Sequence, residues 1–281
     1  MSVVTLNANT ATSTGTALTA PGGANTKSAW TQLTASSSAA CQTISFSMFG
    51  GGASSDCLID IGTGGSGSES VLVSNIPVHI DNTALNFGQH IWLPVAIAAS
   101  TRIVARYQAT SASCSVLPVF YLMDNASSIV LASTTSTTYG ANTTDSGGTG
   151  VDPGTTANTK GSYAELSAST SDDIDWAMVV VGVRNANSGS SQWLIDIATG
   201  ASSSESVVLS NLFANKHSAA NEIYQQSLGP FPVSIASGTR LSARAQSSVT
   251  GSERLIDVTV IGFNGSAAAG GGGAHFSASF M

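Results

Sequence analysis

The chain has 281 residues, of which 42% are hydrophobic and only 9% charged, and its formal net charge is −7. With nine Lys and Arg residues it has no basic patch, which excludes nucleic acid and anionic lipid as partners. The hydrophobic content excludes a disordered chain. No apolar run is long enough for a transmembrane helix, and the first residues lack the pattern of a secretory signal. We therefore expect a protein that stays in the cytoplasm until it assembles or is released.

Residues 1–20 are rich in Thr, Ser and Ala, which predicts an N-terminal arm that becomes ordered against a neighbour. The segment 21–123 then predicts a series of short strands. Residues 44–49 alternate between apolar and polar side chains, as a half-buried strand does. The other predicted strands of this segment lie at 71–73, 103–107 and 116–123. No long stretch has the apolar period of a helix.

An internal repeat sets the architecture. Residues 58–76 align without a gap on residues 194–212, with 13 identities in 19 positions. Two further landmarks recur in the same order: residues 94–106 match 232–244, and Pro21-Gly22 with Asn25-Thr26-Lys27 recurs as Pro153-Gly154 with Asn158-Thr159-Lys160. The repeat places one domain at 21–123 and its homologue at 152–264.

Residues 124–151 separate the repeats and are rich in Ser, Thr and Gly, which predicts an extended or flexible polar linker. In the second repeat, residues 177–183 form a continuous apolar run that predicts a central strand. The end of the chain, 265–281, contains four consecutive glycines and predicts a loose C-terminal tail. We thus predict an all-β fold: two tandem homologous β-sandwich domains, of the jelly-roll type, joined by a polar linker.

Charged side chains recur between the repeats although they are scarce. Strand alternation places the two recurring arginines of each repeat on one face of their strand. We predict ion pairs within each domain that fix strand register or a loop. A ligand or metal site is the alternative, which arginine beside carboxylate disfavours. The residues of this predicted charge network are Asp60, Glu69, Arg102 and Arg106, which recur as Asp196, Glu205, Arg240 and Arg244.

Other candidate sites have simpler structural interpretations. The glycine-rich segment 62–68 lacks the Lys and the following helix of a phosphate-binding loop, and only Gly64 and its counterpart Gly200 are predicted to need glycine. The acidic segment 172–175 lacks the spacing of a calcium-binding loop, which favours a solvated turn.

Cysteine and histidine provide no recognisable catalytic motif. Three cysteines without metal-ligand spacing predict buried free thiols, and Cys57 aligns with Trp193, which favours apolar packing. The four histidines belong to no catalytic or metal-binding motif that we can assign. We therefore predict a non-enzymatic protein without a cofactor or a metal. The residues concerned are Cys41, Cys57, Cys114, His79, His90, His217 and His275.

Tandem β domains, a charge-poor Ser/Thr/Ala/Gly-rich sequence and loose termini are features in which the chain resembles virion structural proteins of tailed bacteriophages and related particles, such as capsid decoration, head-spike, neck or tail subunits. The resemblance implies localisation in the virion and assembly with copies of the chain itself and other virion proteins. It also leaves room for attachment to host-surface polysaccharide as an added role.

A carbohydrate-binding module or lectin is the alternative interpretation. Its sugar would stack on exposed aromatic rings, and the tryptophans available are Trp30, Trp92, Trp176 and Trp193. No tryptophan recurs at an equivalent position in the other repeat, which favours packing in the core, although Trp30 lies near a domain start. A third class, a secreted hydrolase or its accessory domain, has only the fold type in its favour.

Overall fold

The computed structural model describes residues 2–51, 55–80, 90–124, 135–183, 191–216 and 226–265. The predicted C-terminal tail lies outside the described residues from position 266 onwards, and so do His217 and His275. Within the described residues the one helix is a single 3-10 turn, Ser252–Arg254, and no helix there is long and apolar enough to cross a membrane.

The first domain contains two four-stranded antiparallel sheets. One sheet has the strand order β1-β10-β5-β8, and the other has the order β4-β9-β6-β7. A small hairpin, β2-β3, follows β1. The strands are β1 Ser2–Leu6, β2 Ala8–Asn9, β3 Thr14–Gly15, β4 Thr31–Thr34, β5 Thr43–Gly51, β6 Ser55–Thr63, β7 Ser70–Ile80, β8 His90–Leu93, β9 Ile103–Ala109 and β10 Ser115–Asp124.

The second domain has the same plan. Its sheets have the strand orders β11-β19-β14-β17 and β13-β18-β15-β16, and β12 pairs with β19 beside the first of them. The strands are β11 Thr135–Tyr139, β12 Thr149–Val151, β13 Ala164–Ser167, β14 Ile174–Val183, β15 Ser191–Thr199, β16 Ser206–Lys216, β17 Gln226–Ile235, β18 Leu241–Ser247 and β19 Ile256–Asn264.

The connectivity of both domains is that of a jelly roll. If the eight sheet strands of a domain are numbered along the chain, both domains have the orders 1-8-3-6 and 2-7-4-5. The repeated segments 58–76 and 194–212 lie on equivalent strands, β6-β7 and β15-β16. The predicted all-β fold of two tandem β-sandwiches is confirmed.

Two segments assigned to connections by the sequence belong to the sandwiches. The N-terminal segment 1–20, expected to be an arm, contains β1, which pairs with β10, and the β2-β3 hairpin. The expected linker 124–151 contains β11 and β12, which pair with β19. The reason is topological, because a jelly roll places its first strand beside its last. The Thr- and Ser-rich sequence around β11 and the polar residues that follow β1 concealed that role.

The apolar patterns match the observed cores. In β5, Ile44, Phe46 and Met48 are buried in the first core, as their alternation predicts. In β14 the continuous apolar run has a different cause. Val179 and Val181 belong to the core of the second sandwich, whereas Met178 and Val180 belong to the cluster of the first. The sheet of β14 is therefore covered on both faces, and residues 177–182 of this central strand are all buried.

The domains also make polar contact at the edge of β7. Ser136 Oγ, on β11, donates to the carbonyl oxygen of Leu72 at 2.6 Å. Thr138 Oγ1 donates in the same way to the carbonyl of Ser74. Side-chain hydroxyls of the second domain thus satisfy backbone carbonyls on the exposed edge of a first-domain strand.

Candidate functional site

A buried carboxylate organises the outer face of the β4-β9-β6-β7 sheet. The side chain of Asp60 is 3% exposed. Its Oδ1 accepts from Lys27 Nζ at 2.7 Å and from the backbone amide of Asn75 at 2.8 Å, and its Oδ2 accepts from Arg106 Nε at 2.9 Å. Lys27 also donates to the carbonyl of Leu58 at 3.2 Å. Asp60 therefore ties three separate segments together.

The second domain repeats this arrangement. The side chain of Asp196 is 4% exposed, and its Oδ1 accepts from Lys160 Nζ at 2.7 Å and the amide of Asn211 at 2.9 Å. Arg244 Nε donates to Oδ2 at 3.0 Å. Lys27 and Lys160 recur in the sequence within the Asn-Thr-Lys landmark, but their role was not foreseen. The signal that could have found them is that same recurrence.

The second ion pair of each domain fixes a loop. Arg102 Nη1 donates to Glu69 Oε1 at 3.0 Å and to the carbonyl of Gly64 at 2.9 Å. Gly64 has φ +112°, and a Cβ there would lie 2.8 Å from the carbonyl oxygen of Ser68, so glycine is required. The arginine thus holds the β6-β7 turn against the neighbouring strand.

The equivalent loop of the second domain has the same contacts. Arg240 Nη1 donates to Glu205 Oε1 at 3.2 Å and to the carbonyl of Gly200 at 3.1 Å, and its Nε donates to Glu165 Oε2 at 2.7 Å. Gly200 has φ +102°. The structure therefore places all eight residues of the predicted charge network in ion pairs within their own domains. It pairs Arg240 with the two glutamates, and Asp196 with Arg244 and Lys160.

The electrostatics agree with a structural role. Burial by itself raises the pKa of Asp196, but hydrogen bonds from Lys160, the Asn211 amide and Arg244 bring it below its ordinary value. For Lys27, burial is the larger effect and lowers its pKa despite the opposing attraction of Asp60. Because cations and amides occupy the carboxylate oxygens, these acids are poorly suited to bind a metal ion.

In each domain an aromatic ring covers the arginine that binds the buried aspartate. The guanidinium carbon of Arg106 lies 4.3 Å from the ring centroid of Trp30, and that of Arg244 lies 4.6 Å from that of Tyr163. Trp30 follows Lys27 by three residues, and Tyr163 follows Lys160 by three. An aromatic residue, although not a tryptophan, therefore recurs at the position of Trp30 in the second domain.

The three cysteines and His79 make local contacts within the first domain. Cys41, Cys57 and Cys114 are buried free thiols, and the Sγ atoms of Cys57 and Cys114 are 3.8 Å apart. Burial raises the pKa of Cys57 well above its usual range, so the thiol stays protonated. His79 Nδ1 lies 2.8 Å from Asp56 Oδ1. In the described part of the chain, no group of three or more His, Cys, Asp or Glu side chains could hold a metal ion.

The acidic segment of the second domain serves backbone and hydroxyl donors. Asp172 Oδ2 accepts from Thr137 and Ser171 at 3.0 and 2.7 Å. Asp173 Oδ1 accepts from the amide of Ser237 at 2.7 Å. Asp175 lies within β14 rather than in a turn, and it accepts from the amide of Gly265 at 3.1 Å. The segment is thus a set of structural acceptors.

A hairpin of the second domain is inserted into the outer face of the first. This docking hairpin comprises residues 140–149. Gln108 Nε2 donates to the carbonyl of Thr143 at 2.8 Å and to Ser146 Oγ at 3.0 Å, and Ser146 Oγ donates to Asn25 Oδ1 at 2.7 Å. Ser146 is completely buried and Gln108 is 2% exposed. The hairpin-binding site of the first domain, which includes Asn25 and Gln108, is therefore occupied.

The corresponding place on the second domain is an open cleft of about 180 Å³. Phe213 forms one wall and is 53% exposed. Leu194 and Gln246 are half-buried there, whereas the equivalent Leu58 and Gln108 of the first domain are buried. The lining residues are Asn158, Gln192, Trp193, Leu194, Phe213, Gln246, Ser247 and Ser248. An aromatic ring beside side-chain amides and hydroxyls can bind a partner through both apolar and hydrogen-bonding contacts.

No protein-family model and no curated protein sequence matches the chain. Solved structures similar to it include the tandem CBM22 domains of Xyn10C from Paenibacillus barcinonensis, with 9% identity over 84% of this chain and 83% of that one, and a TM-score of 0.28. PNGF-II has 8% identity over 83% of this chain and 59% of its own, with a TM-score of 0.36. A secreted protein from Parabacteroides distasonis has 8% identity, coverage of 94% and 89%, and a TM-score of 0.23.

Proposed function

We propose that the protein is a non-enzymatic structural component that works by protein–protein assembly. The observation that carries the proposal is the buried docking hairpin, whose Ser146 joins two domains through neutral hydrogen bonds to Gln108 and Asn25. Small polar side chains on a loop here contribute to the binding of one jelly roll to another, beside the apolar contacts of Met178 and Val180. The same sandwiches offer further edges and loops for contacts between subunits.

The particle in which it assembles is a virion in this proposal. The support is the resemblance to virion structural proteins in composition and tandem β organisation, and the partners would be copies of the chain and other virion proteins. Intact particles from producing cells provide the test. The protein should sediment with them and be released only on disruption. A protein recovered entirely as free monomer, in no complex, would overturn the proposal.

Carbohydrate binding is the second candidate, and the open cleft is the observation that favours it. The exposed ring of Phe213 lies beside the amide side chains of Asn158, Gln192 and Gln246, which is a suitable combination for stacking on a sugar ring and hydrogen bonding to its hydroxyls. A glycan array probed with the full chain and with Phe213→Ala tests it. Binding that the substitution abolishes supports this function, and no binding by the parent chain contradicts it.

A further inference from the structure

The N-terminal hairpin, residues 7–16, is a second form of the docking hairpin. Residues 7–18 align without a gap on residues 140–151, and six of the twelve positions are identical. The identical pairs are Ala8 and Ala141, Asn9 and Asn142, Thr10 and Thr143, Ser13 and Ser146, Gly15 and Gly148, and Thr16 and Thr149. Both residues that contact the first domain from the docking hairpin, Thr143 and Ser146, are among them.

The two hairpins also have the same backbone. Ser13 and Ser146 both have positive φ, 57° and 58°. Asn9 Oδ1 accepts from the amide two residues later at 3.1 Å, and Asn142 Oδ1 does the same at the same distance. The hairpins differ in surroundings: Ser146 is buried in the hairpin-binding site, whereas its counterpart Ser13 is exposed. The N-terminal hairpin thus presents the same chemical groups, unused.

The open cleft is the equivalent of the hairpin-binding site. Asn158 has φ 58°, and its backbone N–H donates to the carbonyl of Ser247 at 2.7 Å. In the same way Asn25 has φ 54°, and its backbone N–H donates to the carbonyl of Ala109 at 2.7 Å. Gln246 pairs across the sheet with Leu194, as Gln108 does with Leu58. Within the described residues the side chain of Gln246 has no hydrogen bond, and it is half-buried, so its side-chain amide is available to a partner.

Exposed apolar side chains lie beside the open cleft, on β16, and beside the N-terminal hairpin, on β1. Ser136 and Thr138 of β11 hydrogen-bond to the edge of β7 in the first domain. On the equivalent strand β16, Val208 and Phe213 are 37% and 53% exposed, whereas their counterparts on β7, Leu72 and Pro77, are half-buried and buried. On β1, the counterpart of β11, Val3 is 55% exposed. Both surfaces of the interface between the domains therefore occur a second time: the hairpin surface at the N-terminus, and the surface that binds a hairpin in the second domain.

We infer that the N-terminal hairpin of one chain binds the open cleft of a second copy of the same chain, head to tail. Thr10 and Ser13 would contact Gln246 and Asn158 as Thr143 and Ser146 contact Gln108 and Asn25. The inference rests on the proposed assembly function and names its partner. Because donor and acceptor surfaces differ, repeating the contact produces a ring or a helical filament rather than a closed two-fold dimer.

Light scattering of the purified full chain tests the contact. The mass should rise with concentration above the 28.2 kDa of one chain. Ser13→Lys places a long charged side chain where the docking hairpin has a buried serine, and Gln246→Lys blocks the other half. Each variant alone should remain a single chain. Ala11→Lys is the matched control, because its counterpart Thr144 stays exposed when the docking hairpin is bound.

Mixing the two blocked variants provides the decisive measurement. The Ser13→Lys chain retains its cleft and the Gln246→Lys chain retains its hairpin, so the mixture should form a complex of two chains that does not grow further. Circular dichroism and urea unfolding establish that both variants are folded, and Gln246→Ala is a milder substitute if Gln246→Lys is not.

Three outcomes would overturn the inference. If the parent assembles and both blocked variants assemble equally well, the contact is wrong while the assembly function stands. If the parent remains monomeric at every concentration but sediments with intact particles, another virion protein is the partner. If it is monomeric and its cleft binds a glycan, carbohydrate recognition replaces self-assembly at this site.

Discussion

The two domains share a jelly roll and a buried charge network but differ on the outer face beside that network. In the first domain, Gln108 is covered by the docking hairpin and Leu58 is buried, and in the second, Gln246 and Leu194 line an open cleft. The ion pairs of Asp60 and Asp196 agree within about a tenth of an ångström. The comparison separates what each domain needs to fold from what it uses to bind a neighbour.

The largest expected effect tests whether the shared network is equally important in both domains. Asp196→Asn removes the charge that Lys160 and Arg244 face and should lower the free energy of unfolding by about 3 kcal/mol, because the partners are partly buried. Asp60→Asn should cost a similar amount. Urea unfolding with Arg244→Met and the double mutant measures the coupling. Additive, small losses would contradict a network.

Acid should weaken the second-domain network in a defined direction. The pKa of Asp196 is lower in the folded protein than its ordinary value, so its contribution to stability is present above about pH 3.9, the unfolded value, and is lost as the pH falls through the folded pKa. Asp196→Asn should therefore unfold with a shallower pH dependence below pH 4 than the parent. Identical slopes for the two proteins would show that Asp196 does not contribute.

A smaller effect should distinguish the occupied site from the open one. Gln108→Ala leaves the Thr143 carbonyl and Ser146 without their donor in a buried interface, which should cost about 1–2 kcal/mol. Gln246→Ala should cost under about 0.5 kcal/mol in the monomer, because the side chain lies in an open cleft. Thermal unfolding at low protein concentration measures both. Equal losses would mean that Gln246 is buried in the monomer too.

A further comparison of the two domains, with losses smaller than that of Gln108→Ala, concerns the rings over Arg106 and Arg244. Trp30→Leu and Tyr163→Leu keep an apolar side chain but remove the ring that faces Arg106 or Arg244. Each should lose about 0.5–1 kcal/mol beyond the change in buried area, with the tryptophan variant losing more. Double mutants with Arg106→Met and Arg244→Met isolate this interaction. Coupling energies near zero in both domains would rule it out.

The sequence alone determined the repeat, the all-β class and the recurring acids and arginines. A gapless match on β6-β7 and β15-β16 and the scarcity of charge made Asp60 and Asp196 visible, because a residue that must pair inside a sheet recurs in register. Alternation likewise predicted the buried face of β5. These are properties of strand periodicity and local register, which the sequence encodes directly.

Only the tertiary structure decided which segments complete each sandwich and where the domains meet. The strands β1 and β11 lie in segments rich in Thr and Ser, and their place beside β10 and β19 follows from jelly-roll closure rather than from their own composition. The docking of residues 140–149 on Gln108 is made by small neutral side chains, and their recurrence at residues 7–18 does not by itself reveal what they bind. Long-range packing selects such contacts, so their residues become recognisable only once both domains are folded.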